Sequence, residues 1–144
     1  MNVETNSKLK CVIDIEDWQM QCCGDPFKIG DTVEWIIHRL EDYNAPPENG
    51  AEYYYEHHSS EWNELFMVIG VVTEIKAQYY KHEKRTPTEK HPQGYIAHIY
   101  KKSVNVNEAD GWDEDIGKLK FGGYAVALTD FTIRPANKEE VTFS

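Results

Sequence analysis

The chain is poor in basic residues, in cysteine and in long apolar runs. Only 15 Lys and Arg stand against 25 Asp and Glu, for a net charge of −10. That field repels a phosphate backbone, which disfavours nucleic-acid binding and favours a basic partner if there is a macromolecular one. No apolar run approaches the roughly 18 to 20 residues of a membrane-spanning helix. The opening "MNVETNSKLKCVIDIEDW" has no apolar segment behind a basic start, so no secretory signal is read and a cytoplasmic location is expected. Cysteines number three (Cys11, Cys22 and Cys23). An odd count in a reducing compartment argues against a disulfide framework. Phosphate-binding Gly-rich loops, a Gly-x-Ser-x-Gly elbow and a His-Glu-x-x-His pair are all missing. The loop "DGWDEDIG" lacks the Asp ladder of a calcium site.

What is present is a period of two. In "CVIDIEDW", Cys11, Ile13 and Ile15 share a face. In "TVEWIIHRL", Val33, Trp35 and Ile37 alternate with Thr32, Glu34 and Ile36. In "MVIGVVTEIKAQYY", one face holds Met67, Ile69, Val71, Ile75, Ala77 and Tyr79. "GYIAHIYKKSVNV" and "YAVALTDFTI" read as further strands, giving five or six and no long helix. Aromatics at 12% suit pleated, half-buried surfaces. Residues 41–50, 81–94 and 107–118 read as loops, the second as a solvated hairpin connection. Residues 51–62 fit a short helix or an edge strand. Gly122 and Gly123 read as a turn before a strand. The expected fold is a single all-β domain over 1–144, with at most one short helix. It is a small, partly open antiparallel β-barrel of the SH3-like or OB-like kind, with long loops. Gly30 and Asp31 make the turn that launches a strand, Phe27 covers one end of the core, and Gly70 marks a bulge or barrel corner.

The string "DWQMQCCGDPFKIGDTVEW" resembles the N-terminal signature of a family of small uncharacterised bacterial proteins. The matching positions are Trp18, Gln19, Cys22, Cys23, Gly24, Pro26, Phe27, Gly30, Asp31, Val33 and Trp35. The resemblance covers about the first half of the chain and implies no activity and no catalytic residue.

Three function classes follow. The first is a non-enzymatic binding or interaction module, monomeric or homodimeric. Its contact surface would be the aromatic run Tyr53, Tyr54, Tyr55 and Trp62 with Trp112, because large amphipathic rings anchor interfaces at low entropy cost. The second is an acidic inhibitor or immunity protein for a basic toxin, with a face holding Asp110, Asp113, Glu114 and Asp115. The third is a zinc protein or enzyme built on Cys22, Cys23, His57 and His58. Adjacent cysteines on an extended backbone point to opposite sides, so one ion seldom takes both. Small packed thiols are the simpler account, with one of the pair facing the core. Asp14 and Glu16 lie on one strand face about 7 Å apart, a glycosidase-like spacing. A solvated strand face is the simpler reading there.

Overall fold

Alternating apolar side chains need a second surface to bury against, and this chain supplies it by closing a sheet on itself. The computed structural model describes residues 10–39, 49–56 and 65–140. Among these residues the elements run β1 (Cys11–Glu16), α1 (Asp17–Cys23), β2 (Phe27–Lys28), β3 (Thr32–Arg39), β4 (Tyr53–Tyr55), β5 (Phe66–Arg85), β6 (Tyr95–Val106), β7 (Glu108–Ala109) and β8 (Lys120–Pro135). The main sheet has the order β3-β4-β1-β8-β5-β6, and β3 also pairs with β5. Five strands therefore form a hydrogen-bonded ring, with β6 paired to β5 outside it. Only β1 and β4 run parallel; the other ladders are antiparallel. β2 and β7 form a separate two-stranded ladder.

The core fills the ring. Ile13, Ile15, Ile37, Val68, Ile75, Val126 and Leu128 are all fully buried, with Tyr124 and Phe27 beside them. Each such aliphatic side chain contributes roughly 1.5–3 kcal/mol relative to exposure. Phe27 packs edge-on against Trp35 at 4.9 Å between ring centroids, in the covering position expected for it. The turn at Gly30 holds as well: its φ is +97°, and Asp31 accepts a bond from the Lys28 N–H behind it.

Several expectations are corrected. The alternation of β5 does not keep one face throughout. Val68 and Val72 point inward, and after them Ile75, Ala77 and Tyr79 do. The phase changes where the register against β8 shifts, Val72 pairing with Leu128 and Glu74 with Ala127. An inserted residue turns every later side chain to the opposite face. A second shift, between Ile69 and Val71, brackets Gly70 as anticipated. Residues 53–55 form β4, which lies between β3 and β1 rather than at an edge; residues 57–62 lie outside the described set. The strand of residue 81 continues through Arg85, so the connection to β6 is shorter than read. Gly122 and Gly123 lie inside β8, not in a turn.

The Cys-Cys segment is helical. α1 has only seven residues and no side-chain N-cap, too little to hold itself in water. Tertiary bonds hold it instead. Gln19 donates to the Tyr55 carbonyl at 2.9 Å, and Gln21 donates to the Gly111 carbonyl at 2.8 Å. Met20 is buried between them. No helix among the described residues is long and apolar enough to cross a membrane.

Candidate functional site

The outer face of the ring carries a cleft of about 440 Å³. Its floor is β8 at Gly122, its near wall is β1 with the start of α1, and its far wall is the β5–β6 ladder. The sequence builds this directly. On β1 the outward positions are Asp14 and Glu16, and α1 continues at once with Asp17 and Trp18. On β5 the outward positions beyond the bulges are Tyr80 and His82, paired across to Tyr100 and His98 of β6. Tyr54 of β4 stands opposite Asp14. Asp14, Glu16, Asp17, Trp18, Tyr54, Tyr80, His82, His98 and Phe121 line the cleft together.

Gly122 makes the space. A Cβ there would meet two carbons of the Tyr80 ring at 2.6 Å, so the ring lies directly on the glycine backbone. Neighbouring Gly123 has φ +138°, and a Cβ on it would meet the Ile15 carbonyl at 2.1 Å. Two consecutive residues without side chains let β8 press against β1 while leaving the outer face hollow.

Asp14 dominates the electrostatics. Sequence reasoning placed it on a solvated face, and that is wrong: it is only 7% exposed. Its Oδ1 accepts from Asn49 Nδ2 at 2.9 Å and from Gln78 Nε2 at 2.8 Å. Asn49 also donates to Gln78 Oε1 at 2.7 Å and accepts from the Ala51 N–H at 2.9 Å. The two amides are thereby locked, and Asp14 Oδ2 has no protein partner among the described residues. No buried polar atom of the described side chains lacks a partner, so Oδ2 keeps some solvent contact, and Asp14 is one of the residues that line the cleft. Burial pushes the Asp14 carboxyl up to about 6, opposed by the Gln78 and Asn49 bonds and reinforced by Glu16. Burial and the charge of Asp14 likewise raise the Tyr80 hydroxyl. Glu16 accepts from the Trp18 indole N–H at 2.7 Å, which ties the half-exposed indole to the rim. His82 and His98 meet edge-on with ring centroids 4.3 Å apart. No Lys or Arg is among the described lining residues.

The anticipated site residues are dispersed. Tyr54 lines the cleft, whereas Tyr55 is buried against Trp35 and Tyr53 packs on the core. Trp112 is 66% exposed and does not line the cleft. Trp62, His57 and His58 lie outside the described residues. Cys22 does not face the core: it is exposed and disulfide-bonded, a state in which its sulfur is no thiolate, and this runs against the expectation of reduced thiols. The cysteine that sits in the core is Cys11, outside any disulfide and 1% exposed. Among the described residues no three His, Cys, Asp or Glu side chains form a group that could hold a metal.

A second, more open hollow of about 510 Å³ lies beside β2 and β7, with Asp31, Glu108, Asp110 and Asp113 on its walls. Three of these carboxylates serve the fold. Asp113 accepts from the Tyr124 hydroxyl, Asp110 from the Trp112 N–H at 2.8 Å and Asp31 from the Lys28 N–H at 3.0 Å. Nearby Asp115 accepts from the Phe121 N–H at 2.9 Å. The acidic face anticipated at Asp110, Asp113, Glu114 and Asp115 is thus largely committed to fixing its own loop.

Sequence reasoning missed the Asp14 network, Tyr80 and His98 as parts of one site. The one available signal was the pair Gly122 and Gly123 inside an apolar run, which marks a close approach by something bulky. No match was found among the curated proteins or among the solved structures. The model of a family of unknown function, DUF6578, matches residues 9–130, well beyond the half of the chain covered by the earlier resemblance, and this chain belongs to that family.

Proposed function

We propose that this chain is a non-enzymatic binding module whose ligand site is the cleft above Gly122. The ring of strands is read as the scaffold of a small β-barrel of the SH3-like or OB-like kind, a class that presents ligands on one outer face. The observation that carries the proposal is the state of Asp14. A carboxylate is held in a buried position by two amides, with its second oxygen in some solvent contact beside a hollow flanked by aromatic rings. Buried polar groups are ordinarily satisfied within the fold, and a convergent polar group in a partly apolar hollow is how small-molecule sites are built. The described lining residues include no nucleophile bonded to a base, which supports recognition rather than bond-breaking.

The test is a ¹H–¹⁵N correlation spectrum of the full chain titrated with a small-molecule fragment panel. Shifts clustered on residues 14–18, 80–82 and 120–123 are expected. Shifts confined to the surface around Trp112, or to the hollow beside β2 and β7, would move the site elsewhere and remove this reading.

A further inference from the structure

Resting on the cleft as the ligand site, we infer that its ligand is a protonated primary amine, its ammonium seated on Asp14 Oδ2 and Glu16 and its carbon chain against the Tyr80 ring.

Three independent features agree on this chemistry. The first is sign. The cleft carries the carboxylates of Asp14, Glu16 and Asp17 with no Lys or Arg among its described lining. In a partly desolvated hollow that arrangement repels anions and attracts a cation more strongly than in open water. The second is the walls. Trp18, Tyr54 and Tyr80 contribute aromatic rings, whose faces are electrically negative and favour an organic cation over a neutral group. The third is hydrogen bonding. Asp14 Oδ1 already has two donors, Asn49 and Gln78, while Oδ2 accepts from no described residue and can take a further donor. A primary ammonium brings three N–H groups; a quaternary ammonium brings charge without any. A volume of about 440 Å³ lies within the range for small-ligand sites, roughly 300–1,000 Å³.

A carboxylate at position 14 fits this use. An asparagine would occupy the same space, and its Oδ1 would keep both amide bonds. Structure alone therefore does not require the charge, whereas a cation does.

The experiment compares three probes of one shape on the full chain at pH 7.5, by ¹H–¹⁵N titration: benzylammonium, benzyl alcohol and benzyltrimethylammonium. Benzylammonium is expected to bind at least about tenfold more tightly than either of the others. Asp14→Asn should weaken benzylammonium about tenfold or more and leave benzyl alcohol unchanged. Should that variant fold poorly, Glu16→Gln serves, with a smaller loss of the same selectivity. Equal affinity for the alcohol and the amine overturns the cation, while shifts still centred on the cleft would leave the binding site standing. Equal affinity for the trimethylated probe overturns the role of Oδ2 as an acceptor. Absence of cleft shifts with all three probes and with the fragment panel overturns both readings together.

Discussion

Two carboxylate-rich regions of this molecule are built from the same residue types and do opposite things. In the loop of residues 110–115, Asp110, Asp113 and Asp115 each accept a bond from the chain's own donors. The Phe121 N–H, with Lys120 beside it, holds the Asp115 carboxyl below the usual range. In the cleft, Asp14 is tied on one side only, and burial holds its carboxyl above that range. Asp115, which serves the fold, is held charged by its partners. An acid whose charge the fold resists is the one that the proposed ligand would use. The contrast shows that acidic residues in a chain of net charge −10 cannot be read as one surface.

Asp14→Asn sharpens the contrast most. With a folded value about 6 against 3.8 unfolded, the native state binds the proton more tightly, so stability falls as pH rises from about 4 through 6. The full penalty is present above pH 6 and absent below pH 3.8. At 1.36 kcal/mol per unit it amounts to roughly 3 kcal/mol. Glu16 and Asp17 from β1 and α1, Tyr54 from β4, Tyr80 and His82 from β5 and His98 from β6 share the cleft. The variant-minus-parent difference isolates Asp14 from them. Urea midpoints should show the variant up to about 3 kcal/mol more stable at pH 7.5 and equal at pH 3.5. A variant less stable than the parent at pH 7.5 would make Asp14 a structural acid like the others.

Tyr124→Phe tests the other region. The Tyr124 hydroxyl donates to Asp113 and accepts from the buried Gly111 N–H at 3.0 Å. Its removal orphans that N–H and should destabilise by about 1–3 kcal/mol. Faster amide exchange at Gly111 would confirm that the loop hangs on this bond. Gly122→Ala comes next. The added carbon must displace the Tyr80 ring, at a cost of about 1–2 kcal/mol, and should weaken cleft binding without touching the 110–115 loop. A crystal structure showing Tyr80 unmoved would refute the packing argument. Asp115→Asn is the smallest change. Its lowered carboxyl contributes stability above the unfolded value near 3.8 that is lost as pH falls through the folded one. The group is exposed and screened, so about half a kcal/mol is expected from thermal melts at pH 7.

Much of the fold was legible in the sequence because alternation reports which face is buried. Cys11, Ile13 and Ile15 turned inward as a set, and the Gly30 turn and Phe27 fell where read. What alternation cannot report is an inserted residue, so the two halves of β5 were placed on one face. Nor can it report tertiary support: α1 exists because Gln19 and Gln21 find carbonyls 36 and 90 residues away. The site was illegible for the same reason. Asp14 looks like any outward strand acid until Asn49 and Gln78, 35 and 64 residues distant, close over it.

The pairing of β1 with β8 brings Glu16 to Gly123 and Cys11 to Leu128, so the ring closes only across nearly the whole described span. Such a contact must meet its loop-closure entropy before any local reward arrives, which places it late in folding. Asp14 and Glu16 come from one side of that seam and Gly122 from the other. A chain that has made β1 through β6 therefore has both walls of the cleft and no floor. Occupancy of the cleft becomes a readout of completed folding: a molecule bound there is bound to a closed ring, and by mass action it favours the ring over every state in which the seam is open.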